Sequence, residues 1–295
     1  MTLRDTVLLF ILAALWGASF LFVRVAVPVL GPFPLVESRV LLGGLILLGY
    51  AYLLGHLPNW RLYWKQYALI GLFNNAIPFT LIAIAQLNLT ASLAALLNAT
   101  MPLFSAIIAA IWIKETLTVP KVIGLFLGIM GVGVIVGWQT VTLDMTRLIS
   151  ILLMLGATLS YGIAVVYSKV AFRGMNPIAT STGQLLTASI MILPFALMQP
   201  IEQTIPATVI WSVLGLAVLS TSLAYLIYFY LIENAGPTNA ASVTLLIPFF
   251  SSLWGAIFLG ERLLANEIAG FVVILASLLL VTGLYKRFLP ERYSS

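Results

Sequence analysis

The chain has 295 residues, of which 62% are apolar and only 8% charged, and its mean hydropathy is +1.12. Soluble domains carry about 25% charged residues, so this composition excludes a water-soluble globule and leaves room for about ten spanning helices of about 20 residues. The absence of cysteine excludes disulfides and thiolate metal sites, and the 14 Lys and Arg lie singly or in pairs between apolar runs, which argues against nucleic-acid binding.

Apolar runs separated by polar residues, glycine and proline predict an all-α polytopic membrane protein with ten transmembrane helices. The first run continues from Val7 to Val27 without a clear cleavage site, so we interpret it as a retained helix and not a signal peptide. A break between Asn88 and Ser92 divides a run that is too long for one span. The predicted spans are residues 7–27, 33–54, 67–88, 92–113, 119–138, 147–168, 177–199, 208–231, 238–259 and 265–285.

The basic residues predict how these spans are oriented. With a cytoplasmic N-terminus, only Arg147 and Arg262 fall in outer segments. The cytoplasmic segments then hold Arg4, Arg61, Lys65, Lys114, Lys121, Lys169, Arg173, Lys286, Arg287 and Arg292. This bias predicts a multi-pass protein of the cell inner (plasma) membrane with both termini cytoplasmic.

The two halves of the chain repeat each other. Residues 96–124 and 242–270 align without gaps at an offset of 146, and the matched pairs include Pro102/Pro248 and Glu115/Glu261. A second stretch aligns Gly17 with Gly162 at an offset of 145. These matches predict a first repeat over 1–145 and a second over 146–295. Because each repeat has five spans, the second enters the membrane from the opposite side, as in inverted-repeat transporters.

Three segments resemble a known family. LWGASFLFVRVA in the first span, SYGIAVVYSKVA in the sixth and PFFSSLWGAIFLGERLLANEIAG near the end are similar to the ten-helix, EamA-like group of the drug/metabolite transporter superfamily. The first copy departs from the pattern, with Lys114-Glu115-Thr116 where the second has Gly260-Glu261-Arg262. The resemblance implies a carrier, often an exporter, of amino acids or other small metabolites. Within the group, the chain is most similar to exporters of aromatic and neutral amino acids.

Two prolines mark a candidate substrate site. A proline inside a helix frees the carbonyl four residues earlier, so Pro102 frees that of Asn98 and Pro248 that of Thr244. These positions are equivalent in the repeat and lie near mid-membrane. They either present carbonyls and side chains to a central cavity or form two kinks that neighbouring hydroxyls heal.

Other polar and aromatic residues at similar depth are further candidates. Polar groups that face lipid are costly, so we expect the asparagines to point inward, toward either substrate or another helix. The aromatic residues serve either as ligand contacts or, more commonly, as packing. These candidates are Trp16, Ser19, Asn74, Asn75, Ser160, Tyr161, Ser222, Tyr225 and Trp254.

The charged candidates lie toward the ends of spans. Arg39 is a cation in the outer half of the second span, where it either attracts a substrate carboxylate or forms a structural pair. Glu37 is two residues away and therefore points to a different face. Glu115 and Glu261 follow the fourth and ninth spans at opposite membrane boundaries, and helix-end anchoring or an ion pair is favoured there over gating.

No Asp, Glu or His lies near the middle of a predicted span, and His56 is in a loop. Proton antiport usually needs such a group, so we predict facilitated diffusion or exchange of a neutral or zwitterionic metabolite by alternating access. The substrate and the lipid bilayer are the expected partners of a monomer without cofactor or metal. Export of other small metabolites or drugs, or a channel, remains an alternative. An intramembrane enzyme is a remote one, because clustered carboxylates, HExxH and a phosphate-binding loop are absent.

Overall fold

The computed structural model describes residues 2–136, 145–172, 174–236, 239–240 and 242–283. Within these ranges there is no strand, and ten apolar helices make up the protein. Eight are long and apolar enough to cross a membrane, and α5 and α9 are shorter. The helices are α1 (Leu3–Leu30), α2 (Pro32–Leu53), α3 (Trp60–Ala85), α4 (Ala91–Trp112), α5 (Val119–Val136), α6 (Met145–Ala171), α7 (Pro177–Leu197), α8 (Ala207–Ala235), α9 (Val243–Leu259) and α10 (Ala265–Thr282).

The prediction of an all-α protein with ten helices is confirmed. The predicted break between the third and fourth spans is also confirmed, because α3 ends at Ala85 and Thr90 caps the first turn of α4. Several predicted residues lie outside the described ranges. They are Arg173, Lys286, Arg287 and Arg292, the ends of the predicted spans 119–138 and 265–285, the first residue of 238–259 and the end of the first repeat near residue 144.

Two helix boundaries differ from the prediction. Helix α3 begins at Trp60 and not at residue 67, because the Asn59 side chain accepts the Leu62 amide and starts the helix seven residues earlier. Arg61 and Lys65 therefore lie on its first turns, where long basic side chains can reach polar surroundings. Helix α8 continues to Ala235, where Gly236 ends it with a φ of 87°.

Two helices contain a wide π-helical segment at corresponding places in the two halves. The segment in α3 is Leu72–Ala76 and the segment in α8 is Gly215–Leu223. Adding 146 to 72–76 gives 218–222, which falls inside the second segment. π-helical turns are rare and frequently occur at functional sites, so both segments direct attention to the centre of the bundle.

The two prolines do not make the equivalent kinks that the sequence predicts. Helix α4 is interrupted at Ala99 and Thr100, and Pro102 lies in the first turn of its second half, where a missing N–H costs nothing. Pro248 instead lies inside the continuous helix α9. The prediction that both prolines lie inside a helix at equivalent places is therefore wrong for Pro102.

Helix packing brings the two halves together through glycines. An ideal Cβ at Gly17 of α1 would lie 2.8 Å from the Phe250 Cβ and the Ser251 amide nitrogen of α9. At the equivalent Gly162 of α6, it would lie 3.0 Å from the Ser105 amide nitrogen of α4. The pairs α1–α9 and α6–α4 thus approach each other backbone to backbone, and α5 packs along α10.

The outer surface of the bundle is strongly apolar. Trp211, Phe126 and Ile190 are among many large apolar side chains that are mostly exposed. Such a continuous apolar surface is suited to lipid and not to water. The polar groups discussed below lie inside it.

Candidate functional site

A polar cluster lies in the central part of α3, α7 and α8. The Asn74 amide donates to the Gln184 side-chain oxygen at 3.0 Å and has a longer contact of 3.5 Å with the Tyr225 hydroxyl. The Tyr225 hydroxyl donates to Asn75 Oδ1 at 3.4 Å. Asn75 is fully buried, yet its Nδ2 has no hydrogen-bond partner. Both asparagines lie in the π-helical segment of α3, and the side chains of both reach the cluster.

Arg39 of α2 reaches the same region. Its Nε donates to the Thr221 hydroxyl, in the π-helical segment of α8, at 3.0 Å. The centre of its guanidinium lies 3.8 Å from the centroid of the Phe79 ring, a cation–π contact. The Phe79 ring in turn packs edge-on against the ring of Tyr161, with 6.4 Å between the centroids.

Glu37 turns away from this cluster. Its Oε1 accepts the Ser189 hydroxyl of α7 at 2.5 Å, and its Oε2 is buried without a partner. Because Glu37 and Arg39 are two residues apart on one helix, they point to different faces, as the sequence predicts. Glu37 lies about 8 Å along α2 from Pro32, so it is a buried carboxyl inside a span.

Four predicted site residues use their polar groups to join backbone. The Ser19 hydroxyl bonds the Trp16 carbonyl of its own helix, and Ser160 bonds the Phe73 carbonyl across helices. Ser222 bonds the carbonyls of Gly43 and Ala217. The Trp254 indole bonds the Ala14 carbonyl and so ties α9 to α1. In this conformation, these side chains satisfy backbone groups, and all of them except Ser19 connect two helices.

The remaining predicted residues lie on the α1, α4 and α9 side of the bundle. The Trp16 ring is half-buried with its centroid 5.2 Å from that of Tyr228. Asn98 ends the first half of α4, and its side-chain oxygen is buried without a partner. Thr244 is half-buried at the start of α9, where Pro248 is buried.

The sequence alone does not identify two residues of the cluster. These are Gln184 and Thr221, both of which are buried polar residues inside long apolar runs. Adding the repeat offset of 145 to Arg39 gives Gln184, and this equivalence is the sequence feature that could have identified Gln184 as a site residue. Each residue joins its helix to a π-helical segment, Arg39 through Thr221 and Gln184 through Asn74.

The loops after α4 and α9 have the same backbone but different partners. Lys114 and Gly260, equivalent in the repeat, both have positive φ, 54° and 65°. The following glutamates each donate their N–H to a carbonyl six residues earlier at 3.1 Å. The Glu261 carboxylate accepts the Ala91 amide at 2.8 Å, the Ser92 amide at 3.0 Å and the Ser92 hydroxyl at 2.6 Å. This end of the bundle is therefore held by three bonds to the first turn of α4.

Among the described residues, Glu115, at the opposite end of α4, pairs with two lysines. Its carboxylate lies 2.6 Å from the Lys121 ammonium and 3.9 Å from that of Lys169, and its side chain is 41% exposed. These three residues line a cavity of about 210 Å³ that reaches Pro102 and Ser105, well inside α4. At the other end, Glu261 and Arg24 line a cavity of about 310 Å³.

The ion pair at Glu115 predicts a pH dependence. The hydrogen bond from Lys121, together with its charge and that of Lys169, holds the pKa of Glu115 below its ordinary value of 4.5. A carboxyl with a lowered folded-state pKa stabilises the protein above its unfolded pKa, and this stabilisation is lost as pH falls through the folded value. We expect wild type to exceed Glu115→Gln in thermal stability by less than about 1 kcal/mol near neutral pH, because the pair is exposed. The difference should begin to fall as the pH drops toward 4.5 and should be lost as the pH falls further, through the lower folded-state pKa, and a constant difference would contradict the ion pair.

The geometry by itself defines a class of protein. Helices from both halves surround polar side chains with free hydrogen-bonding atoms, inside an apolar surface that suits lipid. No group of three His, Asp or Glu side chains that could hold a metal occurs in the described ranges. These are the features of a multi-pass membrane transporter.

Comparison with known proteins gives the family. The model of the EamA-like transporter family matches residues 5–137 and again residues 148–283, so the chain belongs to this family of membrane transporters. A protein of known crystal structure has the same fold, with a TM-score of 0.67, 15% identity and coverage of 98% of this chain and 100% of that chain.

Relatives match along nearly the whole length. The uncharacterized transporter YvbV of Bacillus subtilis is 30% identical over 284 residues, covering 94% of this chain and 91% of that protein. The uncharacterized inner membrane transporter YedA of Escherichia coli K12 is 28% identical over 280 residues, covering 93% and 89%. The protein PecM of Dickeya dadantii is 24% identical over 270 residues, covering 90% and 88%.

Proposed function

We propose that this protein is a secondary transporter that moves small neutral or zwitterionic metabolites, foremost aromatic and neutral amino acids, out of the cell by alternating access. Transport proceeds by facilitated diffusion or exchange. The observation that carries this proposal is the cluster of Asn74, Asn75 and Tyr225, where polar side chains from several helices meet with one amide nitrogen left free. A polar substrate replaces missing hydrogen bonds at such a place, and the neighbouring rings of Phe79 and Tyr161 suit an apolar side chain.

We place the protein in the inner membrane as a monomer, with both termini cytoplasmic and residues 1–145 and 146–295 as inverted repeats. The two separate matches of the family model and the paired contacts of Gly17 and Gly162 support the repeat. The printed name of YedA, an inner membrane transporter, supports the location. The distribution of basic residues supports the orientation.

In an alternating-access cycle, the end of the bundle at Glu261 and the end at Glu115 have different roles. In this conformation the Glu261 end is held by three hydrogen bonds, whereas Glu115 has ion pairs with Lys121 and Lys169 among the described residues. With the predicted topology, the bonded end faces outward and the Glu115 end faces the cytoplasm, and each end has a cavity, of about 310 Å³ and about 210 Å³. The end without the three hydrogen bonds of Glu261 opens more readily, which lets a cytoplasmic substrate load, as an exporter requires.

Counterflow in proteoliposomes tests the proposal. Vesicles loaded with unlabelled phenylalanine are expected to take up labelled phenylalanine, and Asn98→Ala is expected to reduce uptake about tenfold because it removes a free hydrogen-bonding atom from the interior. Ser19→Ala, whose hydroxyl bonds its own helix, is the matched control and should retain uptake.

A pH gradient across the same vesicles should not drive uphill movement, and Glu37→Gln should leave exchange unchanged. Uphill movement that Glu37→Gln abolishes would replace exchange by proton coupling. No counterflow of any neutral amino acid by folded protein would overturn the substrate assignment.

A further inference from the structure

The protein buries a cation without a carboxylate beside it. Arg39 is 9% exposed, and Nε is its one nitrogen that donates to a described residue. The ion pairs within the described ranges are Lys121–Glu115, Arg147–Glu267 and Lys169–Glu115, and none includes Arg39. A guanidinium has five N–H donors, so its four terminal ones remain available. Ionised side chains inside a membrane protein ordinarily pair, and they mark substrate or ion pathways.

The nearest carboxyl in sequence does not neutralise this charge. Glu37 lies on another face of α2 and accepts the Ser189 hydroxyl at 2.5 Å. The groups that do contact Arg39 are neutral: the Thr221 hydroxyl and the Phe79 ring. The positive charge is therefore held in place by contacts that leave it uncompensated.

Further donors converge on the same place. The Tyr161 ring packs edge-on against the Phe79 ring that Arg39 contacts, and the Tyr225 hydroxyl lies 3.4 Å from Asn75 Oδ1. The fully buried Asn75 Nδ2 has no partner. An oxyanion would thus meet the fork of Arg39 and neutral donors beside it, which is the arrangement that guanidinium groups use for planar carboxylates.

We propose that Arg39 binds the carboxylate of the transported molecule, so that the substrates are zwitterions with one free carboxylate, amino acids foremost, and not molecules without a free acid. This inference rests on the proposed transport function and names the substrate class of its site. The repeat equivalent of Arg39 is the neutral Gln184, so the cluster holds one cation. One guanidinium matches one carboxylate, whereas a phosphate ester or dicarboxylate would call for a second positive charge.

Three probes that share a phenyl ring test the proposal. Phenylalanine, 3-phenylpropionate and phenylalaninamide are compared in thermal-shift titrations of the full-length protein in detergent and as competitors of labelled phenylalanine in proteoliposomes. The two acids are expected to stabilise the protein and to compete, while the amide, which lacks the carboxylate, does neither. Arg39→Gln should weaken binding of both acids about 10- to 100-fold, the effect of a lost charged hydrogen-bonded pair.

Arg39→Lys should restore part of the affinity, because an ammonium keeps the charge without the fork. Arg61→Gln, which changes an exposed arginine at the start of α3, is the matched control and should bind like wild type. If Arg39→Gln does not fold, the comparison of acid and amide on wild type still decides.

The outcomes separate this inference from the proposed function. Equal binding of acid and amide, or no effect of either acid on wild type at millimolar concentration, overturns the role of Arg39. Exchange of phenylalanine together with equal exchange of its amide would leave amino acid transport standing without a carboxylate site. Binding of 3-phenylpropionate that Arg39→Gln abolishes, with no exchange of any amino acid, would keep the carboxylate site and overturn amino acid transport.

Discussion

Replacing Glu261 by alanine is expected to lower the stability of the protein by about 2–4 kcal/mol and to open the end of the bundle where the loop after α9 meets α4. The Glu261 carboxylate accepts two backbone amides and one hydroxyl at the first turn of α4, where the helix dipole also favours a negative charge. Alanine leaves these donors without their partner. Thermal unfolding in detergent measures the loss.

The opening can be measured separately because the chain has no cysteine. Leu259→Cys places a single thiol beside the cavity at Glu261, and an impermeant maleimide should label it faster in the Glu261→Ala background. Glu115→Ala is the matched control, since Glu115 is the repeat equivalent with exposed partners, and it should cost less than about 1 kcal/mol. Equal losses for the two alanine variants would show that the three bonds of Glu261 do not hold that end.

Gly17→Ala is expected to destabilise the protein by about 1–3 kcal/mol, a large effect for one added methyl group. The new Cβ would lie 2.8 Å from the Ser251 amide nitrogen and 3.1 Å from the Ile247 carbonyl oxygen, and backbone atoms cannot move aside as a side-chain tip can. Helices α1 and α9 must therefore separate. Gly17→Val should be worse, and thermal unfolding with size-exclusion profiles in detergent would record both.

Gly49→Ala provides the control for Gly17→Ala. A Cβ at Gly49 in α2 meets nothing within 4 Å, so alanine there should be neutral or stabilising by up to about 1 kcal/mol through its better helix propensity. Similar losses at the two glycines would mean that the close approach of α1 and α9 is not what holds the halves together.

Hydropathy and the polar, glycine and proline residues between apolar runs predicted the fold well, because a helix that crosses a bilayer must be long and apolar. The break before α4 was predictable from the polar residues around Asn88. The π-helical segments of α3 and α8 were not, because no local pattern distinguishes them from an α-helix. Hydropathy placed the start of α3 too late, because the charged Arg61 and Lys65 lower the local hydropathy to that of a loop.

The candidate site was harder to predict, because residue type does not say whether a polar group faces a carbonyl or a cavity. Ser160 and Trp254 were reasonable candidates by depth, yet both bond backbone carbonyls of other helices. Arg39 was ambiguous for the same reason, since the choice between a substrate carboxylate and a structural pair depends on what its side chain meets on the other helices. Gln184 becomes informative only when the repeat is used to compare it with Arg39.

The unequal bonding of Glu261 and Glu115 has a consequence for kinetics under the proposed cycle. Three hydrogen bonds at one end and ion pairs at the other favour the empty protein in the state in which the bonds of Glu261 are made. This bias raises the apparent affinity for substrate on the side of the membrane to which the binding site of the empty protein is open. It lowers the apparent affinity on the other side. It cannot change the final distribution of an uncoupled substrate, which only the concentrations in the two compartments determine. Half-saturation should therefore differ between the two faces of the membrane while the end point of transport stays symmetric.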